Sequence, residues 1–101
     1  MSDWYLYLIR CQDGSLYTGI STDVARRFAQ HQRARSAGSK YLKGRGPLTL
    51  VFKERLGTKS LALKVERRVK KMPKARKARL IAVRGCIEEI VRRVKECDEL
   101  Q

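Results

Sequence analysis

Five residues of this sequence are of types that could act together on a phosphate ester. They are Tyr7, Tyr17, Arg27, His31 and Glu66. A phenol can position or activate a water molecule, a guanidinium offers phosphate oxygens a fixed fork of donors, and a carboxylate is a hard oxygen ligand for a divalent cation. The five are far apart along the chain, so this chemistry requires a fold that gathers them around one point.

Each of the five also has a simpler interpretation. Tyrosines in strands are commonly half-buried packing residues with a solvated hydroxyl. Arg27 alone is typical of a solvated helix cation, and His31 alone is typical of a residue at the edge of a helix face. Glu66 interrupts an apolar stripe among cations, so it requires a partner. A structural ion pair and a bound metal ion are both open for Glu66.

A hairpin is predicted at the start of the chain. Residues 4–10 are rich in aromatic and branched side chains, which favours a strand. Asp13 and Gly14 then provide turn chemistry, and residues 15–20 form a second short strand that can pair with the first. This pairing would place Tyr7 near Tyr17.

A helix is predicted from Val24 to about Arg35, because Thr22 or Asp23 can accept the free backbone N–H groups of its first turn. Arg27 and His31 are four residues apart, so they stack on one flank of this helix and can point at the same feature. The following stretch, residues 33–47, is rich in glycine, serine and cations and is predicted to be a basic, flexible connection.

The second half of the chain predicts one strand and three helices. The strand is the apolar run 48–54, and the helices are 60–72, 74–83 and 86–100, separated by Pro73 and Gly85. The first of these helices carries Glu66 on its core-facing side. The last is amphipathic and places its two cysteines on nearly the same side as its apolar residues, so both are predicted to be small core residues.

These elements predict one domain of the α/β (α+β) class, with a small three-stranded antiparallel sheet flanked by helices. The expected division is a compact unit over residues 1–83 and an extra C-terminal amphipathic helix over residues 84–101 that packs on the same unit. A homodimer formed through this last helix is the alternative, so both a monomer and a dimer are open.

The composition favours a polyanionic partner. Twenty-four Lys and Arg against ten Asp and Glu give a formal charge of +14 and a pI near 10.4. Self-repulsion of this size destabilises a compact state, so such a surface usually serves nucleic acid, although a merely soluble basic surface is the simpler alternative. No segment has the ~18 apolar residues of a membrane span, which predicts no membrane partner.

Cysteine usage and the chain start predict a cytoplasmic protein. The three cysteines form no CxxC pair, and the single histidine leaves too few ligands for a zinc site. An odd number of cysteines fits a reducing compartment. The first four residues, Met1-Ser2-Asp3-Trp4, do not have the pattern of a signal peptide.

Taken together, the motifs resemble the GIY-YIG nuclease family. The relevant features are YLY at residues 5–7, YTG at 17–19, Arg27 ten residues after Tyr17, His31 one helical turn later, and Glu66 on a later helix. The predicted order of strands and helices also matches that fold. The chain looks most like the small stand-alone members, an uncharacterised group described as endonucleases. The resemblance covers roughly residues 3–83.

The resemblance implies a divalent-metal-dependent nuclease, an endonuclease or exonuclease that hydrolyses phosphodiester bonds of DNA. Tyr17 with Tyr7 would position or deprotonate the attacking water, and Arg27 would steady the phosphate. Glu66 would bind one divalent ion, Mg²⁺ or Mn²⁺. His31 stands at a position that is His or Tyr in relatives.

The chain departs from the family pattern at several positions. Tyr5 and Leu6 replace the Gly and Ile of the first motif, and Thr18 replaces the Ile of the second. Ala78 stands where many relatives carry an asparagine, and Ile20 stands where some carry a lysine. A non-catalytic, basic nucleic-acid-binding module with a degenerate nuclease site is therefore the alternative function.

Nucleic acid is predicted to contact ten residues, nine of them cations and one a stacking tyrosine. DNA is the expected partner and RNA the alternative. The ten residues are Arg26, Arg33, Arg35, Lys40, Tyr41, Lys43, Arg45, Lys70, Lys71 and Lys74.

Overall fold

The computed structural model describes residues 3–32 and 47–99, with the side chains of the last helix described as far as residue 97. Within these ranges the chain forms three strands and four helices. They are β1 (Trp4–Arg10), β2 (Leu16–Ser21), α1 (Val24–Gln32), β3 (Thr49–Gly57), α2 (Lys59–Lys70), α3 (Lys74–Ala82) and α4 (Gly85–Glu99).

The sheet is antiparallel with the strand order β2-β1-β3, so β1 is its central strand. Alternate residues of β1 point to opposite faces, Leu6 and Leu8 to one and Tyr7 and Ile9 to the other, and all four are almost completely buried. Burial on both faces explains why residues 6–9 of β1 show no alternation of apolar and charged side chains. The predicted three-stranded antiparallel sheet flanked by helices is confirmed.

The turn between β1 and β2 is held by local hydrogen bonds. The Asp13 carboxylate accepts one from the Ser15 amide at 3.0 Å and one from the Ser15 hydroxyl at 2.7 Å. Gly14 has φ = 85°, a conformation that glycine adopts without steric cost. The predicted hairpin is confirmed, with β2 displaced by one residue from the predicted bounds.

One close approach between β1 and β2 determines where a tyrosine can lie. Gly19 is opposite Tyr7 in the strand register. A Cβ atom at residue 19 would lie 2.5 Å from both Cζ and the hydroxyl oxygen of Tyr7. The Tyr7 ring therefore occupies the space that any side chain at position 19 would fill.

Helix α1 packs on the Tyr7 face of the sheet. Of the two predicted N-caps, Asp23 provides the cap, and its carboxylate accepts a hydrogen bond from the Arg26 amide at 3.1 Å. Val24 and His31 are the buried residues of α1. Val24 lies in a buried cluster with Tyr7 and Ile9, and the partly buried Phe28 packs against this cluster. The predicted continuation to Arg35 and the predicted flexible connection lie outside the described residues.

Helices α2 to α4 cover the opposite face. Val65 and Val69 of α2 pack on Leu6 and Leu8 in one buried cluster. Thr58 caps α2, and its hydroxyl accepts a hydrogen bond from the Leu61 amide at 3.2 Å. The strand β3 extends three residues beyond its predicted end, because its last residues pair with the start of β1.

The last helix contributes directly to this core. Ile87 and Val94 are almost completely buried in the cluster that contains Leu6 and Leu8. The prediction for the two cysteines of α4 is half right. Cys86 packs partly buried against the core, but Cys97 is exposed and accepts a hydrogen bond from the Arg68 guanidinium at 3.4 Å. The division at residue 83 stays a prediction.

Among the described helices, none is long and apolar enough to cross a membrane.

The burial of Ile87 predicts that α4 is required for stability. Replacing a fully buried isoleucine with alanine leaves a cavity, so Ile87→Ala is expected to lower the free energy of unfolding by about 2 to 5 kcal/mol. Val83→Ala is the control, because Val83 is 47% exposed. Urea unfolding followed by circular dichroism measures both. Equal effects of the two substitutions would show that α4 does not cover the core.

The contact between Gly19 and Tyr7 predicts that an added methyl group is harmful there. Gly19→Ala is expected to displace the Tyr7 ring and to destabilise the fold by about 1 to 3 kcal/mol. Gly85→Ala is the matched control, because a Cβ at residue 85 meets nothing within 4 Å. Unfolding midpoints of the two variants should differ clearly, and a neutral Gly19→Ala would contradict the close packing.

Candidate active site

The centre of the site is a hydrogen bond between β1 and α1. The hydroxyl of Tyr7 lies 3.1 Å from Nε2 of His31, and the bond is buried. Tyr7 is 1% exposed and His31 is 2% exposed. The interpretation of His31 as a residue at the edge of its helix face is therefore wrong, because its ring nitrogen pairs with Tyr7 inside the protein.

Tyr17 completes a cluster of three rings. Its ring centroid lies 5.4 Å from that of His31, in an edge-on arrangement, and 6.4 Å from that of Tyr7. Both distances are typical of favourable ring contacts. Tyr17 is only partly buried, in contrast to the other two rings. The predicted proximity of Tyr7 and Tyr17 is confirmed, and Tyr17 is the phenol that reaches the surface.

Arg27 lies beside this cluster on α1. Its Nη1 donates a hydrogen bond to Oε1 of Gln30 at 3.1 Å, which holds the guanidinium along the helix. Arg27 also donates a hydrogen bond to the Tyr7 hydroxyl, and this bond and the positive charge of Arg27 partly oppose the rise in the Tyr7 pKa that burial causes. Because a guanidinium only donates, the Tyr7 oxygen accepts from Arg27 and its own proton is directed to Nε2 of His31.

The surroundings keep Tyr7 protonated. Burial and then the neighbouring Tyr17 raise the pKa of Tyr7 to about 12, and the opposing effect of Arg27 is smaller. The Tyr7 hydroxyl is therefore protonated near neutral pH and can donate a hydrogen bond within the cluster.

His31 is kept neutral by the same environment. Burial lowers its pKa, and the positive charge of Arg27 lowers it further. A neutral imidazole with its proton on Nδ1 leaves Nε2 free to accept the Tyr7 proton. This tautomer is inferred from the hydrogen-bond partners.

Glu66 lies on α2, next to the buried Val65. Its side chain is 17% exposed, and one carboxylate oxygen lies 3.6 Å from Nζ of Lys70, one helical turn later. Glu66 lies within electrostatic range of the ring cluster, since its negative charge adds slightly to the rise in the Tyr7 pKa that burial causes. The structure thus gathers four of the five predicted residues by direct contact, and it links Glu66 to them through its charge.

The donor chemistry of Glu66 fits a divalent cation of the Mg²⁺ type. Within the described parts of the chain, no group of three or more His, Cys, Asp or Glu side chains could hold a metal. Glu66 therefore offers one carboxylate. Mg²⁺ often takes one or two carboxylates from a protein and keeps water and phosphate oxygens as its other ligands, so one carboxylate is compatible with such an ion.

Two residues near the site were not singled out from the sequence. Gln30 holds the Arg27 guanidinium, and its position three residues after Arg27 on the same helix could have predicted this contact. Lys77 is half-buried, and burial followed by the charge of Lys70 lowers its pKa. Within the basic run of α3 nothing in the sequence distinguishes Lys77 from its neighbours, because the difference is one of burial.

Four of the ten residues predicted to contact nucleic acid lie in the described parts of the chain. Arg26, Lys70, Lys71 and Lys74 are exposed. The remaining six lie outside the described residues. They are Arg33, Arg35, Lys40, Tyr41, Lys43 and Arg45.

The lowered pKa of His31 predicts a pH dependence of stability. The unfolded chain binds a proton at His31 near pH 6.5, whereas the folded protein binds it only at lower pH. The free energy of unfolding is therefore expected to be constant above about pH 6.5 and to fall as the pH decreases toward the folded pKa. Urea midpoints measured across this range test the effect.

His31→Gln is the control for this measurement, since it removes the titration and keeps a hydrogen-bond acceptor for Tyr7. The assignment is simple because the chain has one histidine. The carboxylate of Asp3, whose pKa a hydrogen bond from Arg55 lowers, titrates at more acidic pH. A slope in His31→Gln equal to that of the wild type would contradict the assignment.

Known proteins match this chain over most of its length. The family model described as the GIY-YIG catalytic domain matches residues 3–79. A UPF0213 protein of Cronobacter sakazakii is 57% identical over 82 residues, which are 81% of this chain and 84% of the relative. The UPF0213 protein YhbQ of Salmonella typhimurium is 50% identical over 91 residues, 90% of this chain and 89% of the relative.

Two solution NMR structures have a similar fold. A UPF0213 protein of Bacillus halodurans is 38% identical with a TM-score of 0.51, over 79% of this chain and 83% of that one. A protein of E. faecalis is 32% identical with a TM-score of 0.58, over 81% and 85%. Because the family model and these relatives match most of its length, this chain belongs to the GIY-YIG nuclease domain family, and small UPF0213 proteins are among its relatives.

Proposed function

We propose that this protein is a nuclease that hydrolyses phosphodiester bonds of DNA at the cluster of Tyr7, Tyr17, Arg27 and His31, with Glu66 as the ligand of one divalent ion. The observation that carries the proposal is the contact of two phenols, an imidazole and a guanidinium within electrostatic range of a carboxylate. These groups come from β1, β2, α1 and α2. Membership of a nuclease domain family supports the same reaction class.

The two tyrosines have different roles in this proposal. Tyr17 is partly exposed, so its hydroxyl can contact and orient the attacking water. Tyr7 is buried, and its pKa of about 12 keeps it protonated, so it positions its neighbours and does not touch the water. His31 accepts the Tyr7 proton and is likewise a positioning residue.

Arg27 is the phosphate-binding group. Its guanidinium is already held by Gln30, so little side-chain freedom is lost when phosphate oxygens bind. Hydrolysis builds negative charge on the phosphate, and a fixed cation stabilises that charge more in the transition state than in the substrate. A divalent ion bound at Glu66, Mg²⁺ or Mn²⁺, would supply further charge neutralisation.

The excess of positive charge supports DNA as the substrate. A chain with a formal charge of +14 attracts phosphates through counterion release. Lys70 lies beside Glu66, and Lys77 is close enough to Lys70 for their charges to interact. These lysines extend the positive potential from α2 and α3 toward the site, where they would contact the strand next to the scissile bond.

Cleavage assays with two single substitutions test this proposal. Glu66→Gln is expected to reduce cleavage of DNA in Mg²⁺ or Mn²⁺ by at least about a hundredfold while binding persists, because the metal ligand is lost and the net charge becomes more positive. Tyr17→Phe is expected to reduce cleavage to a similar extent. The substrates are single-stranded, duplex, flap and junction DNA.

Glu88→Gln is the matched control, since it makes the same change of charge at an exposed position on α4. It should cleave as the wild type does. If the wild type and both site variants are equally inert on every substrate but bind DNA equally well, the catalytic proposal fails. The protein is then a basic nucleic-acid-binding module.

A further inference from the structure

A groove of about 600 Å³ lies between α2, α3 and α4. We call it the α2–α4 groove. Its lining combines residues from the end of α2, the length of α3 and the first three turns of α4. A volume of this size is typical of pockets that hold a small organic group.

The α2–α4 groove is separate from the candidate active site. Successive residues of an α-helix are rotated by about 100° about its axis. Arg68 and Lys71 line the groove, and they therefore lie about 200° and about 140° around α2 from Glu66. Ligands of the groove and of the active site would approach opposite sides of this helix.

The charge of the groove requires an explanation. Its lining contains one carboxylate, Glu89, and five cations. The cations are Arg68, Lys71, Arg76, Arg79 and Arg93. Glu89 pairs with Arg93 at 3.0 Å. Among the described carboxylates none pairs with Lys71, Arg76 or Arg79. Unneutralised cations crowded together repel one another, and a polyanion would relieve this repulsion.

The floor of the groove is apolar. Met72, Leu80, Cys86 and Ile90 contribute to its lining, and Leu80 is completely buried. A ligand that suits this groove must therefore carry both negative charge at the rim and an apolar, preferably flat, surface for the floor. Arginine guanidinium groups stack on such flat rings as well as binding phosphates.

We infer that the α2–α4 groove binds a single-stranded segment of nucleic acid, with phosphates on the arginine rim and an unstacked base on the apolar floor. Single strands can turn a base outward into a pocket, whereas a duplex keeps its bases stacked and presents only phosphates and groove edges. An acidic peptide would satisfy the rim and leave the floor exposed. This site is additional to the cleavage site proposed above, and binding to it does not require that the protein cuts DNA.

Fluorescence anisotropy of a labelled oligothymidine, without divalent ions, tests the inference. The double variant Arg76→Gln/Arg79→Gln is expected to bind at least about tenfold more weakly than the wild type. The slope of log affinity against log salt should fall by about 1.4, since each phosphate contact on a single strand contributes about 0.7.

Arg92→Gln/Lys95→Gln is the matched control, because it removes the same charge from exposed residues of α4 that do not line the groove. It should change affinity far less. Equal losses in the two double variants would overturn the inference, since net charge alone would then explain binding. Thermal unfolding of both variants confirms that neither loss reflects misfolding.

Three competitors distinguish the possible occupants of the groove. An unlabelled oligothymidine should displace the probe from the wild type much better than a duplex of equal phosphate number or an oligoglutamate of equal charge. Duplex DNA competing equally would assign the groove to phosphates alone. Oligoglutamate competing equally would assign it to an acidic protein, and either result overturns the inference.

Cys86 locates the bound strand, because its side chain lines the groove floor. In a Cys97→Ser background, Cys11 remains buried and Cys86 is the cysteine open to alkylation. Oligothymidine is expected to slow the alkylation of Cys86 at least about fivefold in the wild-type groove and not in the Arg76→Gln/Arg79→Gln variant. Unchanged alkylation at saturating oligothymidine would place the strand elsewhere.

All three measurements are made without divalent ions, so they report binding whether or not the protein cleaves DNA. A nuclease whose groove variants bind normally contradicts this inference alone. An inert protein whose groove variants lose single-strand binding contradicts only the proposed function.

Discussion

Tyr7 is held between the backbone of Gly19 on the neighbouring strand and the imidazole of His31 on the first helix, and the rest of the site depends on this contact. The hydrogen bond from Tyr7 to His31 joins the sheet to α1 inside the protein. It places Arg27 beside the ring cluster, because Arg27 is one helical turn before His31. The absence of a side chain at residue 19 is what allows the Tyr7 hydroxyl to reach this position.

The same contact buries Tyr7 and leaves Tyr17 partly exposed, so the two phenols differ in their access to water. Tyr7 loses contact with water, and its pKa rises to about 12, so it remains a proton donor. Tyr17 lies one strand further out and keeps access to solvent. Of these two tyrosines, Tyr7 is buried inside the ring cluster and Tyr17 reaches the surface, so burial is what distinguishes them.

Positive charge is organised by α2, whose two sides face different surroundings. On the side of Glu66, Lys70 pairs with the carboxylate. Burial and then the positive charge of Lys70 lower the pKa of Lys77 on α3, so the two lysines are near each other. On the other side, Arg68 and Lys71 border the α2–α4 groove. One short helix therefore separates a site that contains a carboxylate from a groove whose rim is almost entirely cationic. In the two proposals above, these surfaces would bind different parts of a polyanion.

The sequence by itself determined the three strands and the four helices, because these follow from local patterns such as strand-forming runs and the Asp13-Gly14 turn. It also indicated five candidate site residues, through the spacing of Arg27 and His31 and the resemblance of the motifs to a nuclease family. It could not determine the burial of His31, the exposure of Cys97 or the difference between the two tyrosines. Tertiary structure decided these, since burial depends on contacts between segments far apart in the chain. For Tyr7 those segments are β2 and α1, and their approach sets both its hydrogen bond and its pKa.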